Sequence, residues 1–327
     1  MFTRISSLVL LLALAFTAPV VAEDFGVKSY DMRGDMGILQ DFGPRGVCWT
    51  PDGQLLIADR RYTVFHIFDT QGRRFLYMNH PDSKTPEAFY NGMCVMPDGK
   101  YLVTGNHYHV KNNPRYVTAH SVIHLMKVEG ESFNAESGKV NYSPDTALRK
   151  TGYYGDSADQ HLEISGIAAD APGNRIFLAC THPMTPDGTL TIFEGKLDKF
   201  QQRSDDFQLE VVKTGLVPPI DTILMTPYLL SDITYVPDKG LVLLLASQSA
   251  TESTFGANQI WFMKGGFGPA RLVQKDLSPG NRATGIAIRP SPAEGEYEAA
   301  IVCDNKMEDT KVPSRLLMVH GLRFPQR

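Results

Sequence analysis

The chain has 327 residues, is 43% hydrophobic and carries a formal net charge of -4, so it can bury a large core and is not a disordered segment. The weak negative charge and the absence of basic runs exclude a surface built for nucleic acid. Its first 22 residues have the layout of an export signal, with Arg4 ahead of an apolar run from Leu8 to Phe16 and Val20 and Ala22 placed for peptidase cleavage. That run is short for a membrane span, which needs about 20 apolar residues, and no cysteine follows it to take a lipid. Residues 23–327 are therefore expected as one periplasmic or secreted domain, with no membrane span after cleavage.

From Arg45 onward one pattern recurs five times: a small-residue start, a short apolar strand, a tight turn and a second apolar strand. The units begin at Arg45-Gly46-Val47-Cys48-Trp49, Asn91-Gly92-Met93-Cys94-Val95, Ser165-Gly166-Ile167-Ala168-Ala169, Ser231-Asp232-Ile233-Thr234-Tyr235 and Thr284-Gly285-Ile286-Ala287-Ile288. The turn between the first two strands is Pro51-Asp52-Gly53 in the first unit and Pro97-Asp98-Gly99 in the second, with looser forms at Pro172-Gly173-Asn174 and Pro237-Asp238-Lys239. Pro presets its own backbone angle there and Gly accepts positive φ, so the turn is a strong local signal. Third strands are expected at Val64 to Phe68, Ser121 to Val128, Thr189 to Phe193, Gln259 to Met263 and Arg315 to Val319.

A supersecondary unit repeated in register cannot cover its own apolar faces and must stack on its neighbours. The expected fold is all-β, a β-propeller of five four-stranded blades. A sixth blade is the alternative, hidden in the long stretches 129–163 or 198–230. The last unit lacks an outer strand, and Val27 to Met32 is expected to supply it and close the ring. The long connections all emerge on one face, where binding usually resides.

Five polar steps end the second strands: Asp59-Arg60, Asn106-His107, Thr181-His182, Ser247-Gln248 and Asp304-Asn305. Arg45, Asn91, Glu163, Ser165, Asp232 and Thr284 stand at the strand starts, and in a closed propeller all of these face one mouth of the central channel. The plain alternative is that loops are polar because they are wet. Arg45, Asp59, Arg60, His109, Gln248 and Asn305 are candidate binding residues. His107 and His109, two residues apart, lie on one side of an extended segment. With His182 they offer transition-metal ligands, or else His107 or His182 serves as a general base near neutral pH. Asn91, Glu163, Asp232 and Asp304 supply oxygens suited to a divalent cation, calcium first.

His66, His124 and His320 fall in third strands and are expected to hydrogen-bond between blades. Cys48 and Cys94 share a register with Ala168, Thr234 and Ala287, a slot for a small residue. All four cysteines read as small buried hydrophobes, with a Cys48 to Cys94 bridge as the alternative if those strands come close enough.

The phrase Gly-x-x-x-x-Pro-Asp-Gly-x-Leu-Leu-x-Ala-Asp, at Gly46 to Asp59 and more loosely in the second unit, resembles the superfamily of gluconolactonase-type, paraoxonase-type and NHL-repeat propellers. The resemblance implies a propeller over most of the mature chain. For the superfamily's hydrolases it also implies Asn or Asp at the strand start holding a catalytic Ca²⁺. Asn91 matches that placement and Asp232 matches it one residue later, whereas Arg45, Ser165 and Thr284 stand at the other starts. Together these features predict a divalent-cation-dependent hydrolase of an ester, lactone or phosphoester, with its site at the channel mouth. The alternative is a non-catalytic propeller that binds a protein or glycan on its loop-rich face.

Overall fold

The computed structural model describes residues 26–60, 64–79, 88–110, 117–129, 132–135, 147, 163–182, 185, 187–202, 206–249 and 254–325. In chain order these form β1 (Gly26–Asp31), a small hairpin of β2 (Arg33–Gly34) and β3 (Gly37–Ile38), and then a succession of four-stranded antiparallel sheets. Blade one is β4 (Pro44–Trp49), β5 (Leu55–Asp59), β6 (Val64–Phe68) and β7 (Arg74–Asn79). Blade two is β8 (Ala88–Val95), β9 (Tyr101–Val110), β10 (Val117–Glu129) and β11 (Ser132–Ala135). Blade three is β12 (Glu163–Asp170), β13 (Arg175–His182), β14 (Thr191–Lys196) and β15 (Leu209–Val211). Blade four is β16 (Leu229–Val236), β17 (Gly240–Gln248), β18 (Phe255–Lys264) and β19 (Arg271–Leu277). Blade five is β20 (Ala283–Pro290), β21 (Tyr297–Cys303), β22 (Arg315–Leu322) and, as its outer strand, β1 from the other end of the chain.

The inner strands β4, β8, β12, β16 and β20 pack each against the next, and β20 returns to β4. The ring thus closes at five blades, which excludes the six-bladed alternative. Part of each long stretch supplies an outer strand instead, β11 in one and β15 in the other. The expected turns form with their expected chirality: Gly53 and Gly99 adopt φ of 84° and 78°, and their amides donate to the Thr50 and Met96 carbonyls. Among the described residues no helix is long and apolar enough to cross a membrane.

The core lies in the seams between blades. Cys48 packs with Met93 in the seam of blades one and two, Ala168 with Ile233 in that of three and four, and Ala287 with Val47 in that of five and one. A small residue on one inner strand therefore receives a larger one from the next, which explains the small-residue slot. None of the four cysteines forms a disulfide. Burial pushes the Cys94 thiol up to about 12 and raises Cys48 and Cys303 as well, so they are packing groups without thiolate chemistry.

Two residues before that slot the strands come closer still. A Cβ on Gly46 would strike the Asn91 carbonyl, on Gly92 the Gly166 Cα, and on Gly285 the Arg45 carbonyl. Backbone touches backbone at this level, and only glycine permits it. Blade four carries Asp232 at the same level, fully buried, with Oδ1 accepting from the Ile233 amide and Oδ2 from the Ile286 amide of blade five.

Candidate functional site

Every inner strand breaks register immediately before this layer, between Pro44 and Val47, Tyr90 and Met93, Ile164 and Gly166, Leu230 and Asp232, and Ala283 and Gly285. The extra residue in each strand is turned out of the ladder, as bulges do where a side chain must be re-aimed. Four of the residues so displaced, Arg45, Asn91, Ser165 and Ser231, line a recess of about 120 Å³ at the channel mouth. The fifth, Thr284, ties blade five to blade one by donating to the Pro44 carbonyl at 2.7 Å.

Arg60, Thr181 and Gln248 reach the same recess from the ends of the second strands, and Arg282 from the approach to β20. Three guanidinium groups thus line it, and no carboxylate does among the described lining residues. Behind them Asp304 Oδ2 lies 3.9 Å from both Arg45 Nη2 and Arg60 Nη1, while its Oδ1 accepts from the Lys306 amide. One buried carboxylate orients two of the three arginines. Blade four borders it with half-buried Leu229 and with Leu230 and Ala246, whose side chains are buried. The opposite end of the channel opens into an apolar hollow of about 390 Å³ lined by Trp49, Cys94, Met96 and Tyr235 among others, on the far side of the glycine layer.

The candidate residues divide accordingly. Arg45, Asn91, Arg60 and Gln248 meet in the recess. Asp59 turns away from it, its carboxylate taking the Gly43 amide and approaching His66 Nε2 at 3.2 Å. Asn305 is buried and braces loops, with Oδ1 accepting from the Arg282 amide and Nδ2 donating to Asn281 and Pro313 oxygens. The backbone of β9 and β13 carries His107, His109 and His182 towards the mouth end, and Glu163 pairs with His182 across β12 and β13. The side chains of Asn106, His107, His109, Glu163 and His182 lie outside the described residues, as does that of His124. His66 and His320 bond within their own blades, to Asp59 and Glu298, rather than between blades as expected, because each faces a second-strand acid across one sheet.

Two described members of the proposed cation set, Asp232 and Asp304, have other partners. Both Asp232 oxygens are taken by amides, and Asp304 faces two arginines. Burial raises the Asp232 pKa well above the usual carboxylate range. Among the described residues no group of three or more His, Cys, Asp or Glu side chains gathers around a point where an ion would sit.

No protein-family model and no curated protein matches the sequence. Solved structures with the same architecture include the major allergen Mala s 1 of Malassezia sympodialis, 10% identical over 91% of this chain and 98% of that one, with a TM-score of 0.53. An N-acetylgalactosamine deacetylase from F. plautii is 10% identical over 90% of this chain and 94% of its own, with a TM-score of 0.53. A gluconolactonase-like protein is also similar, 10% identical over 87% of this chain and 76% of that one, at a TM-score of 0.43. Likeness at this distance defines the class of molecule, a propeller of the kind found in many enzymes and binding proteins, and nothing finer.

Proposed function

We propose that the recess at the channel mouth binds the anionic group, carboxylate or phosphate, of a small-molecule ligand. The observation that carries this reading is the convergence of Arg45, Arg60 and Arg282 on one small recess, with Asn91, Ser165, Thr181, Ser231 and Gln248 beside them as hydrogen-bonding groups. Guanidinium forks match carboxylate and phosphate oxygens, and a partly enclosed site strengthens each such bond. Isothermal titration calorimetry with inorganic phosphate tests it: Arg60→Gln is expected to weaken binding about tenfold, and added salt to weaken it further. Calorimetry that detects calcium but no phosphate would contradict it.

A second reading adds turnover. The strand register that carries His107 and His182 to the mouth end supports either one as a general base in the hydrolysis of an ester, lactone or phosphoester of such an anion. In this reading the chain is an exported hydrolase. An ester and lactone screen with His107→Gln and His182→Gln, run with and without chelator, separates it from simple binding and also detects metal dependence. Recovery of the chain in a periplasmic or culture-medium fraction, lacking its first 22 residues, tests the export.

A further inference from the structure

The mouth face carries a feature that an anion site alone does not use. The connection from β15 to β16 exposes Val217, Ile220, Ile223 and Met225, with Ile223 82% and Met225 74% accessible. Four large apolar side chains on one short loop are costly in water unless something covers them. The loop is also held rigid. Asp221 Oδ1 accepts from the Ile223 and Leu224 amides, and its Oδ2 from the Ser247 hydroxyl and the Ala257 amide. An Ile220–Pro227 bridge and a Tyr228 amide to Pro219 carbonyl bond close its base.

Its position relates it to the recess. Pro227 lies two residues before Leu229, and the Thr226 hydroxyl donates to the carbonyl of Gln248, another lining residue. Half-buried Leu229 borders the recess from the strand into which the loop runs, whereas the three arginines come from blades five and one. The arginines thus share the mouth with Leu229 and, ahead of it in the chain, the exposed apolar ledge. The recess itself, at about 120 Å³, holds a headgroup and little more.

Resting on the anion-binding reading, we propose that the ligand is an amphiphilic anion, its carboxylate or phosphate among the arginines and its hydrocarbon chain laid along Leu229 and Ile220 towards Ile223 and Met225. Rigidity favours this, because a preformed ledge binds a chain without the cost of ordering a loop.

Calorimetry with inorganic phosphate, butyl phosphate and octyl phosphate below its micelle concentration provides the test. Affinity is expected to rise about tenfold or more from phosphate to octyl phosphate, since each methylene buried adds to binding. The double substitution Ile223→Ser with Met225→Ser is expected to abolish that rise and leave phosphate affinity unchanged. Both positions are solvent-exposed, and if the double variant unfolds, Ile223→Ser alone provides the same comparison. Equal affinity for phosphate and octyl phosphate would overturn the inference and leave the anion site standing. A chain-length gain that survives the loop substitutions would also overturn it, because the chain would then lie elsewhere. Absence of binding by all three would remove the anion site itself. Co-sedimentation with phosphatidylglycerol vesicles distinguishes a membrane-inserted loop: pelleting that depends on Ile223 and Met225, without a chain-length gain for the soluble ligand, would overturn the proposal.

Discussion

Asp232 stands where the other four inner strands have glycine, and it does by side chain what they do by close contact. Its carboxyl joins the amides of blades four and five at the axis, out of reach of water. Burial raises its pKa well above the ordinary value and the amides of Ile286 and Ile233 pull it back only in part. An acid with a raised folded-state pKa holds its proton longer folded than unfolded. Its contribution to stability is full below the unfolded value, about 4, and is lost as pH rises through the folded one. Thermal unfolding of wild type and Asp232→Asn should therefore show wild type losing ground to the variant as pH rises above about 4. A constant difference would contradict this. Asp221 behaves oppositely. Burial pushes it up, but the Ser247 hydroxyl and the Leu224, Ile223 and Ala257 amides outweigh burial and bring it to about 2. Its contribution is present above about pH 4 and lost as pH falls towards that value. Asp221→Asn should cost about 1–3 kcal/mol at neutral pH and speed proteolysis within 217–226, read by limited digestion and mass spectrometry.

The blades are legible in the sequence because their signals are local. Pro-Asp-Gly turns and apolar runs of strand length need no knowledge of what lies across the ring, and Val27 to Met32 is recognisable as the missing outer strand because β22 otherwise has none. The site is less legible. Asp59, Asn305 and Asp232 occupy ring positions much like those of Arg60 and Gln248, yet hydrogen bonds to Gly43, Asn281 and Ile286 take them out of the recess. Those partners lie far away in the chain and no spacing announces them. Arg282 was equally hidden, since it reaches the mouth from a connection rather than from a strand end. The only available signal was a basic residue three positions before Gly285. Polar links stitch most seams near the mouth: Asn91 to Ile164, Thr181 to Leu230, Asp232 to Ile286 and Thr284 to Pro44. Between blades one and two the described residues show the close approach at Gly46. Gly46→Ala should thus destabilise the fold by about 1–3 kcal/mol or more, measured by urea denaturation. Removal of residues 26–31 should expose the β22 edge and promote association, visible by sedimentation velocity.

Taken as one molecule, the propeller is a rigid frame with two unlike ends. One end of the channel is apolar, and the other gathers three arginines that are far apart in sequence. The ring brings them together, and Asp304 lies 3.9 Å from both Arg45 and Arg60. An anion at the mouth stabilises the folded state by mass action, so phosphate should raise the unfolding midpoint of wild type and do so less in Arg60→Gln. Everything proposed for the mouth depends on where that anion sits. A crystal soaked in selenate and measured at the selenium edge tests it most directly: an anomalous peak is expected within hydrogen-bonding reach of Arg45, Arg60 and Arg282. Selenate bound only elsewhere, or a mouth that takes up a lanthanide cation instead, would contradict it.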